Sequence, residues 1–547
     1  MENQVYSNLP LFQSTTQQRD PTAFATLVPG AQGGSRTPVI GGTANYNGYL
    51  YMDGVPSETI NQQGDNRTVA LNMSPEAVDQ FQVNTSVPPA EYMGAGSMNF
   101  TMKSGGLKFH GQASGFLRNT IFEAWTFTQK AVTVKNAAGA NVPAPKAPEH
   151  PSELSFSVGG FVPHAAHKVF FFVAYDKYHS AFGQNPSLTT IPSTLMMNGD
   201  FTEINGSPGT GITGNSGNAA FLFDPMTNAC TITGCTRQPF QGLKNGVPTN
   251  NVIPAGDISP ITQKMESFWP NYNNETAANY NPTTITNNYL STGIGGRDNH
   301  LFDYRVDIDI SPKNRVSAVG ALGHVVYINN FGSPYLPPPY EVGDYAVIVP
   351  KQYDVEDTYT ITSHMTNQFK WGYTRFYMPI INPTDTAAGY GSTTQTIGAF
   401  GVTNLPGGQA GTEFPGVSFG TSKAATTGPA TWTTNSNSAS TQLTIPNNYS
   451  LVDNLQWLKD KHQFTFGLTY QFEGLNNANP ATFTGVLSLP FNQSPTASYT
   501  TGATGCGTGV QGCSNAIDTS ATGYGYASFL LGAVDPVTLP LQNVATI

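Results

Sequence analysis

The sequence predicts an all-β chain, most of it an incomplete antiparallel transmembrane β-barrel with long extracellular loops. Three observations carry this expectation. Nine segments alternate apolar and polar residues with the period of two that a strand imposes. The connections between them alternate short and long. The composition is that of strands and loops, with 57 Gly, 40 Pro and only 11% charged residues in 547, less than half the usual charged share.

Taken in order, FHGQASGFLR (109–118) is a lone strand, and LSFSVGGF (154–161) with KVFFFVAYDKY (168–178) is a hairpin. The segment at 300–310 puts Phe302, Tyr304, Val306, Ile308 and Ile310 on one face and Asp303, Arg305, Asp307 and Asp309 on the other. Ser311, Pro312 and Lys313 then turn the chain into a strand at 314–326. Strands at 352–362 and 368–378 follow, the second with Phe369, Trp371 and Tyr373 in phase. The last pair, 448–458 and 462–473, is joined by Lys459, Asp460 and Lys461; its second strand alternates without a break from His462 to Glu473 and reads as a tight hairpin.

On these bounds the connection 119–153 is long, and the seven that follow contain 6, 121, 3, 25, 5, 69 and 3 residues. Every second connection of a meander lies at the same end, so tight turns gather at one end and Asn/Gly/Thr/Pro-rich loops at the other. Outer-membrane barrels have that asymmetry, whereas a soluble sandwich has no reason to segregate loop lengths. In such a barrel the outward face is apolar and the inward face polar, which makes Asp303, Arg305, Asp307 and Asp309 candidates for the lumen. The longest dense apolar run is VFFFVAY at 169–175, far short of a membrane helix. Nine strands do not close an even-numbered barrel, and the chain reaches Ile547 without a closing aromatic strand, so the sheet is expected to be unfinished.

The remaining features narrow the function. With 24 basic against 34 acidic residues the net charge is −10, which argues against nucleic acid as a partner. Cys230 with Cys235 and Cys506 with Cys513 form two close pairs. Their spacings and the lack of a nearby His favour local disulfides over a metal site, and hence an oxidising compartment. MENQVYSNLPLFQ lacks the basic start and apolar core of a signal peptide, and the true N-terminus is expected to lie upstream. HAAH, with His164 and His167, reads as a polar turn, PPPY at 337–340 as a stiff loop segment, and Asp307 with Asp309 as lumen lining rather than an acid–base pair. The sequence contains no G-x-S-x-G, H-E-x-x-H or P-loop pattern, and neither an enzyme nor a metal or cofactor is expected.

The ordered series YMDGVPSE (51–58), SPEAVDQFQVNTS (74–86), AEYMGAGSMNFTMKSG (90–105) and FHGQASGFLRN (109–119) resembles the plug and first barrel strand of TonB-dependent outer-membrane receptors, in particular their Oar-like branch. The resemblance continues through VGGFVP, NGDFTE, LFDPMTN, NVIPAGDISPIT and DNLQWLKDKHQFTFGLTYQF. It implies an N-terminal plug domain at 1–105 and, at 106–547, the first part of a 22-stranded barrel in the bacterial outer membrane. It implies uptake of a bulky, scarce ligand such as a metal chelate, glycan or peptide, powered through a periplasmic TonB-type coupling protein. The surrounding lipid is the other partner, and the long loops are the capture surfaces.

Asp53, Gly54, Glu76, Lys103 and Gly105 then become gate candidates. Glu76 and Lys103 are placed for ion pairs between plug and barrel, and Asp53–Gly54 for a turn before Val55. The chain departs from the pattern in lacking a coupling motif and a carboxypeptidase-regulatory-like domain, and in MGAGSMNF and GGFVP, so a fragment is expected. The competing reading is a secreted or surface-attached β-rich adhesin that transports nothing. There the aromatic faces of 302–310 and 462–472 would meet each other, and lipid-phase quenching of Trp371 and Trp457 separates the two.

Overall fold

The computed structural model describes residues 18–32, 38–42, 48–57, 73–86, 89–93, 96–125, 149–165, 168–183, 187–204, 221–231, 234–271, 288–291, 294–329, 344–381, 393–402, 414–419, 442–478, 488–499, 517–518 and 522–534, with short pieces at 133–135, 141–143 and 146. Cys506, Cys513, His167 and PPPY lie outside them.

The N-terminal part folds as a four-stranded sheet of β1 (Gly48–Met52), β2 (Val55–Pro56), β3 (Val78–Asn84) and β4 (Gly96–Met102), in the order β2-β1-β4-β3. β1 and β4 run parallel, and β3 pairs antiparallel with β4. Met98, Phe100 and Met102 are buried with Leu50, Met52 and Phe81, as the period of two in SMNFTM requires. The other face of β4 is half-buried, with Ser97 buried and Asn99 and Thr101 partly exposed. Asn99 Oδ1 accepts from the Gly54 N–H at 3.0 Å, and Ser97 Oγ accepts from Asn84 Nδ2 at 2.9 Å.

Nine further strands form one continuous antiparallel meander: β5 (His110–Leu117), β6 (Ser152–Phe161), β7 (Val169–Gly183), β8 (Ile294–Ser311), β9 (Asn314–Asn329), β10 (Asp344–Thr362), β11 (Met365–Ile381), β12 (Gln442–Lys459) and β13 (His462–Ala478). Each pairs with its neighbours in sequence, and β5 and β13 are the edges. Among the described residues the sheet is not closed into a barrel. The turns after β8, β10 and β12 are two residues long, at 312–313, 363–364 and 460–461, and Asp460 takes the positive φ of 55° that such a turn needs. The opposite end carries the long connections.

The first strand, β5, is slightly shorter than expected, whereas β6 to β13 exceed their predicted lengths, reaching 19 residues in β10, and nearly all the excess lies at the long-loop end. Segments such as IGGRDN and PNNY at that end have lost the alternation, because beyond the lipid both faces of a strand meet polar surroundings. Below, the outward face keeps Phe302, Ile308, Ile310, Phe369, Trp371, Phe464, Phe466, Leu468 and Tyr470 exposed. The aromatic faces of 302–310 and 462–472 therefore do not bury each other, as the sandwich alternative required.

The inward face is not uniformly polar, as expected from a wet lumen. Phe172, Ala174, Val319 and Ala321 are buried in one cluster with Leu50, Met52, Met98 and Phe100 of the small sheet, because that sheet, not water, occupies this side. A second core belongs to the loops. Phe201, Leu222, Phe240, Ile253 and Met265 from the β7–β8 connection pack with Phe400, Phe414 and Phe419 from the β11–β12 connection, and with Phe491, Tyr526 and Phe529 from beyond β13. Cys230 and Cys235 are disulfide-bonded in a hairpin of this loop assembly.

Candidate functional site: the interface between the two sheets

Three polar knots hold the small sheet against the large one. At the first, the segment before a 3₁₀ turn (Pro21–Leu27) passes between the sheets. Arg19 lies 2.6 Å from Glu153 Oε1 on β6 and 3.3 Å from Glu76 Oε1, with all three side chains at most 2% exposed. Its guanidinium also covers the Phe116 ring at 3.8 Å. Ser114 Oγ on β5 donates to Glu76 Oε1 at 2.9 Å. Beside it, Gln18 Nε2 donates to Asp176 Oδ1 on β7 and its oxygen accepts from Asn299 Nδ2 on β8 at 2.6 Å.

Asp20 caps the 3₁₀ turn by accepting from the Thr22 N–H at 2.8 Å. Burial pushes its carboxyl above the ordinary value, against the hydrogen bonds from Thr22.

The second knot is a single bond: the backbone N–H of Ser74 donates to Asp303 Oδ2 at 3.0 Å, and Asp303 is fully buried. Its other oxygen has no partner among the described residues.

The third knot surrounds the tight turn between β1 and β2. Met52 pairs with Val55, and Asp53 and Gly54 take φ of 49° and 80°, both positive as a two-residue hairpin prefers. Arg305 Nη1 on β8 lies 3.4 Å from Asp53 Oδ1 and donates to the Met102 carbonyl at 3.3 Å. Arg305 Nε is held by Asp307 at 3.0 Å. Lys370 Nζ on β11 donates to the Asp53 carbonyl at 2.6 Å and lies 3.4 Å from Glu356. Ser57 Oγ donates to Gln352 Oε1 at 2.6 Å, and Gln352 Nε2 to Asp354 at 2.8 Å. Gly372 admits the turn, since a Cβ there would lie 2.2 Å from Val55 Cγ1. Burial raises the Asp53 carboxyl to about 6, with Arg305 and Lys370 opposing.

The candidates from sequence distribute unevenly. Asp53, Gly54, Glu76, Asp303 and Arg305 make contacts between the sheets, and Asp307 braces Arg305 from beneath while accepting from Ser317 at 2.6 Å. Asp309 lies outside the interface, at the short-turn end near Arg315, with its side chain 39% exposed. Lys103 corrects the expected ion pairing: it has no ion pair among the described residues, and desolvation pulls its ammonium below the ordinary value. Its backbone N–H instead donates to Ala77 O, because the chain there is still paired with the small sheet. Gly105 is a passage point, where a Cβ would lie 2.3 Å from the Gly160 carbonyl and 2.4 Å from that of Phe171. His164 sits exposed in the β6–β7 turn at φ 65°.

Sequence reasoning missed Gln18, Arg19, Glu153, Asp176, Gln352 and Lys370. Glu153 and Asp176 had a signal, for each is the charged member of an otherwise uncharged inward-facing set. Gln18 and Arg19 had none, since they precede any periodic segment.

A family model described as an outer membrane beta barrel domain matches residues 101–546. A search of curated proteins found no match. Among solved structures, the chain is similar to the outer membrane transporter YddB from Escherichia coli, at 8% identity and a TM-score of 0.47, over 91% of this chain and 50% of that one. It is also similar to a variant of the ferric enterobactin receptor PfeA from Pseudomonas aeruginosa, at 11% identity and a TM-score of 0.42, over 85% and 48%. For the ferric-catecholate import receptor Fiu from Escherichia coli K12 the values are 12%, 0.37, 94% and 63%. The chain spans about half the length of the first two. With the family model covering most of the chain, the meander and its exposed apolar outer face follow as its expected architecture: the chain belongs to the outer membrane β-barrel domain family, and its place is the bacterial outer membrane.

Proposed function

We propose that residues 1–105 are a plug and 106–547 part of the wall of a TonB-dependent receptor of the Oar-like kind, which takes up a bulky ligand. The carrying observation is the chemistry of the sheet-to-sheet interface. Ion pairs and hydrogen bonds at Arg19, Asp53, Ser57 and Ser74 fix the position of the small sheet. Such buried pairs define a geometry more than they add net stability, since their mutual attraction is largely offset by desolvation. Asp303 Oδ1 and Asp354 Oδ1 remain unpartnered among the described residues, so the contact is short of its full hydrogen bonding. A removable gate needs a contact that is specific and also separable. In this reading Asp53, Gly54, Glu76, Lys103 and Gly105 belong to the gate, and Asp303, Arg305, Asp307 and Asp309 line the lumen.

The test uses cells carrying the native gene and three labelled probes: a ferric catecholate, an oligosaccharide and an oligopeptide. One probe should accumulate, and a protonophore should abolish its accumulation. S57C/Q352C, which places two thiols across the third knot, should lose accumulation under oxidising conditions and regain it with a reductant. Surface binding of a probe that is never accumulated and ignores the protonophore would instead establish the adhesin reading.

A further inference from the structure

The outward face of the large sheet is ordered by height. Tyr175 pairs with Phe302, Tyr353 with Tyr373, and Tyr373 with Tyr449. The ring centroids of the last two pairs are 6.4 and 4.8 Å apart. These are two aromatic groups, on β7–β8 and on β10–β12, separated by Leu322 and Gly320 of β9 and offset by two residues, and such clusters mark a membrane–water interface. Two residues nearer the long loops, roughly 7 Å further along the strand, Lys177 and His300 follow Tyr175 and Phe302, and Lys351 and Arg375 follow Tyr353 and Tyr373; β9 adds His324, two residues beyond Leu322. Lys177 pairs with His300 and His300 with His324; Lys351 pairs with Arg375 and, across Leu322, stands level with Phe302, so the basic row steps down by two residues between β9 and β10. Their neighbours Asp176, Leu301, Val325, Gln352 and Phe376 are buried on the inward side, so the five point outward.

Asp298 is held by Lys177 Nζ at 2.5 Å and lies 3.6 Å from His300. Lys351 and Arg375 are exposed, and among the described residues neither has an acidic partner within ion-pair distance. Like charges directly opposite each other weaken a strand pair, so this juxtaposition calls for an anion from outside the chain. The row is part of a sheet face and not a pocket. Below it lie Phe302, Phe369 and Trp371, an apolar surface on which acyl chains would hold a headgroup at this height.

We infer that Lys351 and Arg375, extended by Lys177, His300 and His324, form a belt that binds the phosphates of lipid headgroups on the long-loop side of the membrane. The inference rests on the outer-membrane placement and not on transport. Each cation near a lipid surface should strengthen binding roughly fivefold, and the pair roughly twentyfold or more.

The full chain in neutral detergent, titrated with dihexanoyl phosphatidic acid, dihexanoyl phosphatidylcholine or inorganic phosphate and read by native mass spectrometry, tests this. Phosphatidic acid should bind at least tenfold more tightly than phosphatidylcholine, and millimolar inorganic phosphate should not displace it. K351Q/R375Q should lose at least tenfold for phosphatidic acid and little for phosphatidylcholine. K461Q, at the opposite end of the sheet, should bind as the parent does. Without anionic lipid, K351Q/R375Q should melt no lower than the parent, because a repulsion has been removed. If it melts lower, K351Q and R375Q singly, at about fivefold each, decide the question. Equal binding of the two lipids, or variants that bind phosphatidic acid undiminished, would overturn the belt. Displacement by inorganic phosphate would overturn its assignment to lipid.

Discussion

Arg19→Met keeps an unbranched apolar side chain beside Phe116 in place of the guanidinium that covers its ring, and withdraws the cation that Glu76 and Glu153 share. Both carboxylates are at most 2% exposed, so solvent cannot compensate. Removing one member of a buried ion pair costs about 3–5 kcal/mol, most of it for the charge left behind. That penalty falls on the docking of residues 18–28. At 1.4 kcal/mol per factor of ten, the segment should open between about a hundredfold and a few thousandfold more often. Hydrogen exchange at the amides of Thr22, Ala23 and Val28, which donate to Asp20 Oδ1, Asp20 O and Ala25 O, reads this directly. A triple variant R19M/E76Q/E153Q should recover most of the protection, because exchanging a whole buried charge set for neutral groups is close to neutral. An increase of less than about threefold in R19M, or a triple variant as open as the single one, would show that stranded charge is not what holds the segment.

Two further outcomes follow from the third knot. Asp53, with its side chain 10% exposed, has its carboxyl raised from an ordinary 3.8 to about 6. A raised carboxyl favours the folded state most at low pH and loses that advantage as pH climbs from about 4 through 6, a change of about 3 kcal/mol. Exchange at residues 48–57, corrected for its intrinsic rate, should therefore accelerate across that window in the parent and stay level in D53N; the same slope in both would place the titration elsewhere. Gly372→Ala puts a Cβ where Val55 Cγ1 lies 2.2 Å away, an overpacking worth about 1–3 kcal/mol. Thiols placed at 57 and 352 should cross-link more slowly in G372A than in the parent, and an unchanged rate would mean that Val55 moves aside freely.

How much was legible in the sequence depended on whether a physical boundary imposed a period. Strict alternation in 300–310 and 462–473 sorts an apolar face from a polar one, and there the strands, turns and faces could be read. At 294–299, IGGRDN, no alternation marks the strand, and at 344–351 the run AVIV is apolar on both faces, with Ala346 and Ile348 in a small inward core, so neither extension carries a period of two. Asp303 and Arg305 stood out as charges in phase on one face; Arg19, buried like Asp303, belongs to no periodic segment. Lys103 was misjudged because a charge beside an interface need not point across it. The inward apolar patch of Phe172, Ala174, Val319 and Ala321 could be understood only once the small sheet was seen against it. The loop core escaped notice because Phe201, Phe419 and Phe529 come from three separate segments with no shared spacing.

That loop core changes what divergence can do to this surface. Because three connections share one aromatic interior, none can be exchanged, lengthened or lost at its root without exposing the others' apolar side chains. Inheritance at the outer face is therefore split. The roots must change together, as a single block, while residues such as Leu195, Met226 and Leu243, which stand out into solvent, are free to vary one at a time. An outer surface built this way can alter what it meets outside the cell without renegotiating how it stands up.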